Sequence, residues 1–175
     1  VGASGETYNS FATRIMNYNS RVLPIEKFNV FNFEFEFWLT SSINAFYSTL
    51  YLTPNGYTAD TAGAFAFAWR EFQKIDSLTN ANGLVSEIYL GWPNRGQMQQ
   101  LASRADRILL HSYRTTHADI YQYTRNRLLD IASGAKVTTV IPIFSSEQSY
   151  MYNWLNTNPT TKPYVTYSGF LSAEP

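Results

Sequence analysis

One segment sets the architecture of this chain: Phe28-Asn29-Val30-Phe31-Asn32-Phe33-Glu34-Phe35-Glu36-Phe37-Trp38. From Phe31 to Phe37, apolar and polar residues alternate strictly. A period of two predicts a β-strand, and aromatic residues favour strands. The phenylalanines would share one face, and Asn32, Glu34 and Glu36 would share the other. Two interpretations of the polar face stay open: a strand surface that simply faces solvent, or the interior of a barrel near its mouth.

The segments around this strand alternate between helical and strand patterns. Helices are predicted over residues 6–22, 59–78, 94–105, 118–133 and 145–155, with a short helix or loop over 41–52. Strands are predicted over residues 28–38, 84–92, 107–113 and 136–144. Strands separated by helices indicate an α/β fold with a parallel sheet of β/α units. Either an open doubly wound sheet or part of a β/α barrel satisfies this order.

Composition limits the function classes. The chain has 175 residues, which suits one domain but is short for a complete (β/α)8 barrel of about 250 residues. Its formal net charge is zero, so net charge makes no electrostatic case for nucleic acid or an anionic membrane. No apolar run approaches the length of a membrane span. There is no cysteine, no Gly-rich phosphate loop follows a strand, and His111 and His117 lack metal-ligand spacing. We therefore expect no cofactor and no metal.

The order of residues in the first strand resembles the strand-four signature of glycoside hydrolase family 18, the chitinases and endo-β-N-acetylglucosaminidases. That signature reads aromatic-Asp-Gly-apolar-Asp-x-Asp-x-Glu-aromatic. Glu36 falls on the family's catalytic Glu, Glu34 on the preceding Asp, and Asn32 and Asn29 on the two earlier acids. Val30 stands in place of the Gly, and only the last acid is identical.

A second segment, residues 106–113, is similar to the family's strand six, which ends in Met-x-Tyr. Tyr113 falls on the family Tyr, His111 replaces the Met, and Arg114 replaces the following Asp. The two segments are separated as the order of strands four, five and six requires. The resemblance implies that residues 1–175 form a single incomplete domain, resembling the C-terminal half of a TIM barrel with strands four to seven or eight.

The resemblance also implies a mechanism in which the 2-acetamido oxygen of the substrate attacks the anomeric carbon. Glu36 would be the general acid, Glu34 would raise its pKa and hold the acetamido N–H, and Tyr113 would donate to the acetamido oxygen. Asn32, Trp92 and His111 are candidate substrate-binding residues. For Trp92 the alternatives are stacking on a sugar and capping the barrel. For His111 the alternative is a hydrogen-bonded interior position.

Two functions from different classes remain open. One is hydrolysis of a β-1,4-linked N-acetylglucosamine bond in chitin or an N-glycan core. The other is non-catalytic glycan binding or a structural surface role, which Glu34 favours because it is one methylene longer than the family's Asp. We expect a carbohydrate partner, and either a missing N-terminal half of the barrel or self-association through open sheet edges. A proteolytic fragment without glycosidase activity and a secreted or cell-surface location are further expectations.

Overall fold

The structure, a computed structural model, describes residues 5–39, 48–115, 117–134, 136, 138–145, 147 and 152–157, and only the backbone of residues 5–10, 117, 118, 154 and 155. The strands are β1 (Val30–Phe33), β2 (Val85–Leu90), β3 (Arg107–His111) and β4 (Thr139–Ile143). The helices are α1 (Gly5–Asn19), α2 (Thr61–Ala81), α3 (Arg95–Ala102), α4 (His117–Ala132) and α5 (Tyr152–Thr157). Short helical turns occupy Pro24–Glu26, Ser48–Leu52 and Thr53–Asn55.

The four strands form one parallel sheet in the order β1-β2-β3-β4. Each strand therefore neighbours the next one along the chain, with a helix between them. Because such crossovers are right-handed, consecutive ones place their helices on the same face of the sheet. The predicted α/β fold of β/α units is thus confirmed. The order contains no reversal of the kind that creates the crevice of a doubly wound sheet. The described sheet is open, and its four strands do not close into a barrel.

One face of the sheet is the hydrophobic core. The Phe33 ring lies 5.8 Å from the Phe72 ring, and the Phe35 ring lies 5.3 Å from the Phe67 ring. Both partners belong to α2, whose inward stripe is fully or almost fully buried and comprises Ala64, Phe67, Ala68, Phe72 and Ile75. Burying each large side chain contributes about 1.5–3 kcal/mol. The alternating phenylalanines therefore pack against a helix, as their spacing predicts.

The opposite face is polar and partly open to solvent. Asn32 Nδ2 donates to Glu87 Oε1 at 2.8 Å, and Arg107 Nε donates to Glu87 Oε2. These contacts form a polar row across β1, β2 and β3. On β4 the same face presents Thr139 and Ile141, both exposed. From residue 31 onward, the apolar side chains of β1 thus lie on one face of the sheet and its polar side chains on the other, as the alternation in the sequence predicts.

The outer edge of β4 contains a residue without a backbone N–H. Thr139 N donates inward to Asp106 O at 3.1 Å, so by the period of two Pro142 faces away from β3. Proline at that position removes a donor that a further strand would need. Pairing of another strand along this edge is therefore weakened.

Several predicted boundaries differ from the structure. The ladder of β1 ends at Phe33, so the predicted strand over 28–38 is too long, and Glu36 lies in the segment after the strand. Turns replace the ladder there, because Phe37 N donates to Phe35 O and Leu39 N donates to Glu36 O. The alternation of burial nevertheless continues through Phe37. The helix or loop over 41–52 and the helix over 145–155 lie partly outside the described residues. No described helix has the length and apolarity to cross a membrane.

Candidate functional site

The candidate residues come together at the carboxyl edge of the sheet. Glu34 and Glu36 follow β1, Trp92 follows β2, His111 ends β3, and Tyr113 comes two residues later. β2 lies between β1 and β3, as the predicted order requires. In β/α barrels this edge carries the active site, because the loops after all parallel strands meet there.

The two carboxylates differ in their surroundings. Glu34 is exposed, whereas Glu36 is partly buried. Its neighbours in the sequence, Phe35 and Phe37, are both buried. Burial raises the pKa of the Glu36 carboxyl above its ordinary value, and the negative charge of Glu34 raises it further. The protonated form of Glu36 is therefore favoured relative to a carboxyl in water. A general acid needs this kind of shift to hold a proton near neutral pH.

A pair of tyrosine hydroxyls lies beside these acids. The hydroxyls of Tyr89 and Tyr113 are 2.9 Å apart and hydrogen-bonded to each other. Burial raises the pKa of Tyr89, and the hydrogen bond that it shares with Tyr113 and the negative charges of Glu34 and Glu36 raise this pKa further. The carboxylates are thus close enough to act electrostatically on a phenol that contacts Tyr113.

Tyr89 is a functional candidate that sequence reasoning did not identify. It lies two residues after Glu87 on β2, so the alternation along the strand places both side chains on the polar face of the sheet. Its contact with Tyr113 could not be predicted from the sequence, because that contact depends on the register between β2 and β3. Tyr89 pairs with Leu109 in that register, one pleat below His111.

The side chain of His111 is enclosed by aromatic rings. Its ring centroid is 3.7 Å from that of Tyr89 and 4.4 Å from that of Tyr113, while Trp38 and Trp92 lie 5.9 and 6.1 Å away. The side chain is only 2% exposed, and neither ring nitrogen has a hydrogen-bond partner among the described residues. Burial lowers the pKa of His111 to about 4, so the imidazole is neutral at pH 7. The interior position is correct, but the hydrogen bonding expected for it is wrong.

The loop after β2 is held in place around Trp92. The Tyr123 hydroxyl donates to Gly91 O at 2.5 Å, and Arg127 Nη1 donates to Pro93 O at 2.7 Å. A Cβ atom on residue 91 would lie 2.7 Å from the Trp38 indole. Glycine is therefore required for Trp38 to pack here. The indole N–H of Trp38 is also buried without a partner.

Asn32 is the candidate that lies farthest from this edge. Its amide is bound to Glu87, two residues deeper in the sheet than Glu34. The structure thus gathers Glu34, Glu36, Trp92, His111 and Tyr113 at one edge and leaves Asn32 in the polar row below. Asn32 contributes there by fixing the carboxylate of Glu87 against Arg107.

Chemically, the edge combines a carboxyl with raised pKa, a second carboxylate, two phenols and several aromatic ring edges. Among the described residues, no group of three His, Cys, Asp or Glu side chains is placed to hold a metal ion. The fold and this site define an α/β protein of β/α units with an acidic, aromatic site at the carboxyl edge of its sheet. No model of a known protein family, no curated protein and no solved structure matches this chain.

Proposed function

We propose that this chain is a glycoside hydrolase-like protein that binds a β-1,4-linked N-acetylglucosamine glycan at the carboxyl edge of its sheet. The observation that carries the proposal is the raised pKa of Glu36 beside Glu34, in the same patch as the Tyr89–Tyr113 hydroxyl pair. Of the residues in the resemblance to family 18, Glu34, Glu36, His111 and Tyr113 come at the carboxyl ends of β1 and β3. Glu87 and Tyr89 lie on the same polar face of β2, opposite the hydrophobic core, which supports the hypothesis that this face contacts a ligand.

Glu36 would act as the general acid. The acetamido oxygen of the substrate forms a bond to the anomeric carbon while the glycosidic carbon–oxygen bond breaks, and the proton of Glu36 passes to the leaving oxygen. Water then attacks the anomeric carbon, reopens the acetamido ring and returns a proton to Glu36. Glu34 would hold the acetamido N–H, and its charge favours a single shared proton on the pair.

Tyr113 would donate to the acetamido oxygen. Its hydroxyl can accept the hydrogen bond of the Tyr89 hydroxyl and still donate its own hydrogen to that oxygen. Trp92 offers a half-buried ring on which a sugar can stack. His111 would support Tyr113 from below through their stacked rings, and Asn32 would orient the polar row under the sugar.

The open sheet limits what this chain does alone. A sugar at the carboxyl edge of β1–β3 is contacted from one side, because the described strands do not close around it. We propose that the remaining side is supplied by another barrel half or a second copy. Pro142 weakens the β4 edge, so the outer edge of β1 is the favoured place for such pairing. The isolated 175 residues should therefore bind glycan with little or no turnover.

Non-catalytic glycan binding is the second candidate. Glu34 carries one more methylene than the family's Asp, which moves its carboxylate relative to the acetamido group. The aromatic surroundings of His111, with Trp38, Tyr89, Trp92 and Tyr113, suit ring stacking irrespective of catalysis. Under this function Glu36 would accept hydrogen bonds from a sugar without transferring a proton.

Titration with chitin oligosaccharides, followed by tryptophan fluorescence and calorimetry, tests both candidates. We expect binding by the unmodified chain and a loss of about tenfold or more in Trp92→Ala, which removes a stacking surface. Any turnover of a fluorogenic chitobioside should disappear in Glu36→Gln. Glu26→Gln is the matched control, because Glu26 lies before β1, at the other end of the sheet.

The results separate the candidates. The non-catalytic function is favoured by two results together. Glu36→Gln still binds the glycan, and no turnover occurs even when a second chain is paired along the outer edge of β1. Turnover that persists in Glu36→Gln excludes Glu36 as the acid. Absence of any chitin oligosaccharide binding by the unmodified chain overturns both functions.

A further inference from the structure

The connection between α1 and β1 carries the three most exposed large apolar side chains in the described part of the protein, and Tyr18 at the end of α1 lies beside them. Ile25 is 93% exposed, Leu23 65%, Phe28 52% and Tyr18 43%. The helical turn Pro24–Glu26 buries none of its residues. The rings of Tyr18 and Phe28 lie 5.3 Å apart, so the end of α1 and the start of β1 join in one surface. We refer to Tyr18, Leu23, Ile25 and Phe28 as the apolar tip.

Basic side chains surround the apolar tip. Arg14, Arg21 and Lys27 are exposed, and no carboxylate in the described part of the chain lies within ion-pair distance of them. Glu26 is the single acid between Phe11 and Phe28 in the sequence, and its carboxylate accepts from the backbone N–H of Leu23 at 3.0 Å. Most other described Arg and Lys side chains are ion-paired. The zero net charge of the whole chain therefore conceals a positive surface at this end.

A groove opens beside the tip. It has a volume of about 220 Å³ and is lined by Met16, Asn19, Ser20, Lys27, Asn82 and Leu84. The Ser20 hydroxyl donates to Asn17 O, and Asn82 Nδ2 gives one of its hydrogens to Leu78 O. The ammonium of Lys27 and the second amide hydrogen of Asn82 offer hydrogen-bond donors to an anionic group. The apolar tip, the basic side chains of Arg14, Arg21 and Lys27, and the polar groove therefore lie next to one another at one end of the molecule.

We propose that this end docks on an anionic lipid surface. Leu23 and Ile25 enter the boundary between headgroups and acyl chains, and Tyr18 and Phe28 lie at headgroup level, where aromatic side chains concentrate. Arg14, Arg21 and Lys27 contact the lipid phosphates and carboxylates, with one headgroup in the groove. Two copies meeting through the tip would bring these like charges together, which is why an anionic partner fits better than a second copy.

Docking is independent of the proposed glycan function. The tip precedes β1 and so lies at the amino edge of the sheet, opposite Glu36 and Tyr113. A chain bound by the tip would hold its carboxyl edge away from the lipid. The peripheral contact needs no membrane-spanning helix.

Vesicle sedimentation of the 175-residue chain tests the proposal. We expect co-sedimentation with vesicles of phosphatidylcholine mixed with phosphatidylserine, none with phosphatidylcholine alone, and a decrease as salt rises. Each of Arg14→Gln, Arg21→Gln and Lys27→Gln should lower the partition coefficient about fivefold. Ile25→Ser should lower it about tenfold, because an aliphatic side chain leaves the apolar boundary.

Matched controls use exposed residues elsewhere. Leu129→Ser on α4 and Arg95→Gln on α3 remove an exposed apolar side chain and an exposed charge, and neither should change sedimentation. Ile25 is almost fully exposed, so its substitution should leave the circular dichroism spectrum and urea midpoint unchanged. Equal sedimentation of the Ile25→Ser variant, or none of the unmodified chain with anionic vesicles, overturns the proposal. A dimer that Ile25→Ser dissociates, without vesicle binding, would instead assign the tip to contact between copies.

Discussion

Polar side chains at the amino edge of the sheet have hydrogen-bond partners, whereas several buried polar groups at the carboxyl edge lack them in the described part of the chain. At the amino edge, Asp76 accepts from Arg104 Nε at 2.8 Å and from Ser86 Oγ at 3.1 Å, and Asp106 accepts from Lys136 Nζ at 2.7 Å. At the carboxyl edge, both nitrogens of His111 and the indole N–H of Trp38 are buried without partners.

This contrast separates stability from function. Satisfied buried polar groups stabilise a fold, whereas unsatisfied ones and shifted pKa values concentrate at sites that act on ligands. In β/α folds the amino edge is where residues serve stability and the carboxyl edge is where they serve chemistry. Removing a buried polar side chain should therefore lower the free energy of unfolding at the amino edge and raise it at the carboxyl edge.

The largest effect is expected at the amino edge. Asp76→Ala removes a buried carboxylate that accepts from Arg104 and Asn80, whereas the Ser86 hydroxyl keeps Asp106 Oδ2 as an acceptor at 3.0 Å. The loss of two hydrogen bonds to a charged group should lower the free energy of unfolding by about 3–5 kcal/mol. Urea denaturation measures the change. Asp130→Ala is the control, because its pairs with Arg95 and Arg127 are partly exposed and should contribute about 0–1 kcal/mol. A loss below 1 kcal/mol in Asp76→Ala would remove the contrast between the edges.

The next effect is a dependence on pH at the carboxyl edge. The pKa of His111 falls from its ordinary 6.5 to about 4 on folding, so the folded state excludes a proton that the unfolded state binds. The titration of His111 therefore has no effect on stability above pH 6.5, and it destabilises the fold as pH falls from 6.5 toward 4, by about 3 kcal/mol in total.

His111→Leu isolates this contribution. The variant should lose the part of the acid destabilisation that belongs to His111. At pH 7 it should be more stable by about 1–3 kcal/mol, because an unpartnered imidazole is replaced by an apolar side chain. Urea midpoints measured across pH 4–7 for both proteins give the difference. Parallel curves for the two would show that His111 has a hydrogen-bond partner in solution.

A third effect concerns the packing of Trp38 at the carboxyl edge. Gly91→Ala places a methyl group within 2.7 Å of the indole and should cost about 1–3 kcal/mol through overpacking. Near-ultraviolet circular dichroism should show an altered tryptophan environment. Gly96→Ala is the comparison, since its nearest atom lies at 3.5 Å. A neutral result for Gly91→Ala would mean that the indole moves away freely.

The smallest effect is expected for Glu36→Gln. The pKa of Glu36 is raised, so folding is favoured when this group is protonated, and its contribution is lost as pH rises through the folded pKa. The neutral amide should therefore stabilise the protein slightly at pH 7, by less than about 1 kcal/mol because the group is partly solvated. Destabilisation in this variant would indicate that the ionised carboxylate supports the fold.

Much of the architecture was readable from local patterns. The alternation of residues 31–37 predicted that Phe33 and Phe35 face a helix. The apolar stripe of Phe65, Ala68, Trp69, Phe72 and Ile75 predicted that helix. In the structure, Ala64 and Phe67 are buried in it, whereas Phe65 and Trp69 are only partly buried. The order of strands and helices predicted the parallel sheet. These features are periodic, and periodicity is a property of neighbouring residues along the chain.

The candidate site was only partly readable in the same way. The resemblance singled out Glu36 and Tyr113, which follow different strands, and the structure places both at the carboxyl edge. Tyr89 was missed, and the length of β1 was wrong, because a ladder ends where its neighbour stops pairing. That end depends on β2, more than fifty residues later in the chain.

The sequence by itself determined the period of each segment, and hence which side chains share a face and which elements alternate. Only the tertiary structure decided that Tyr89 meets Tyr113, that His111 lies unpartnered among four aromatic rings, and that Glu87 links Asn32 to Arg107. These contacts depend on the register of parallel strands. The alternating pattern of each strand excludes register shifts of one residue, which would exchange its two faces. The remaining choice of register is made when the strands pack together against their helices.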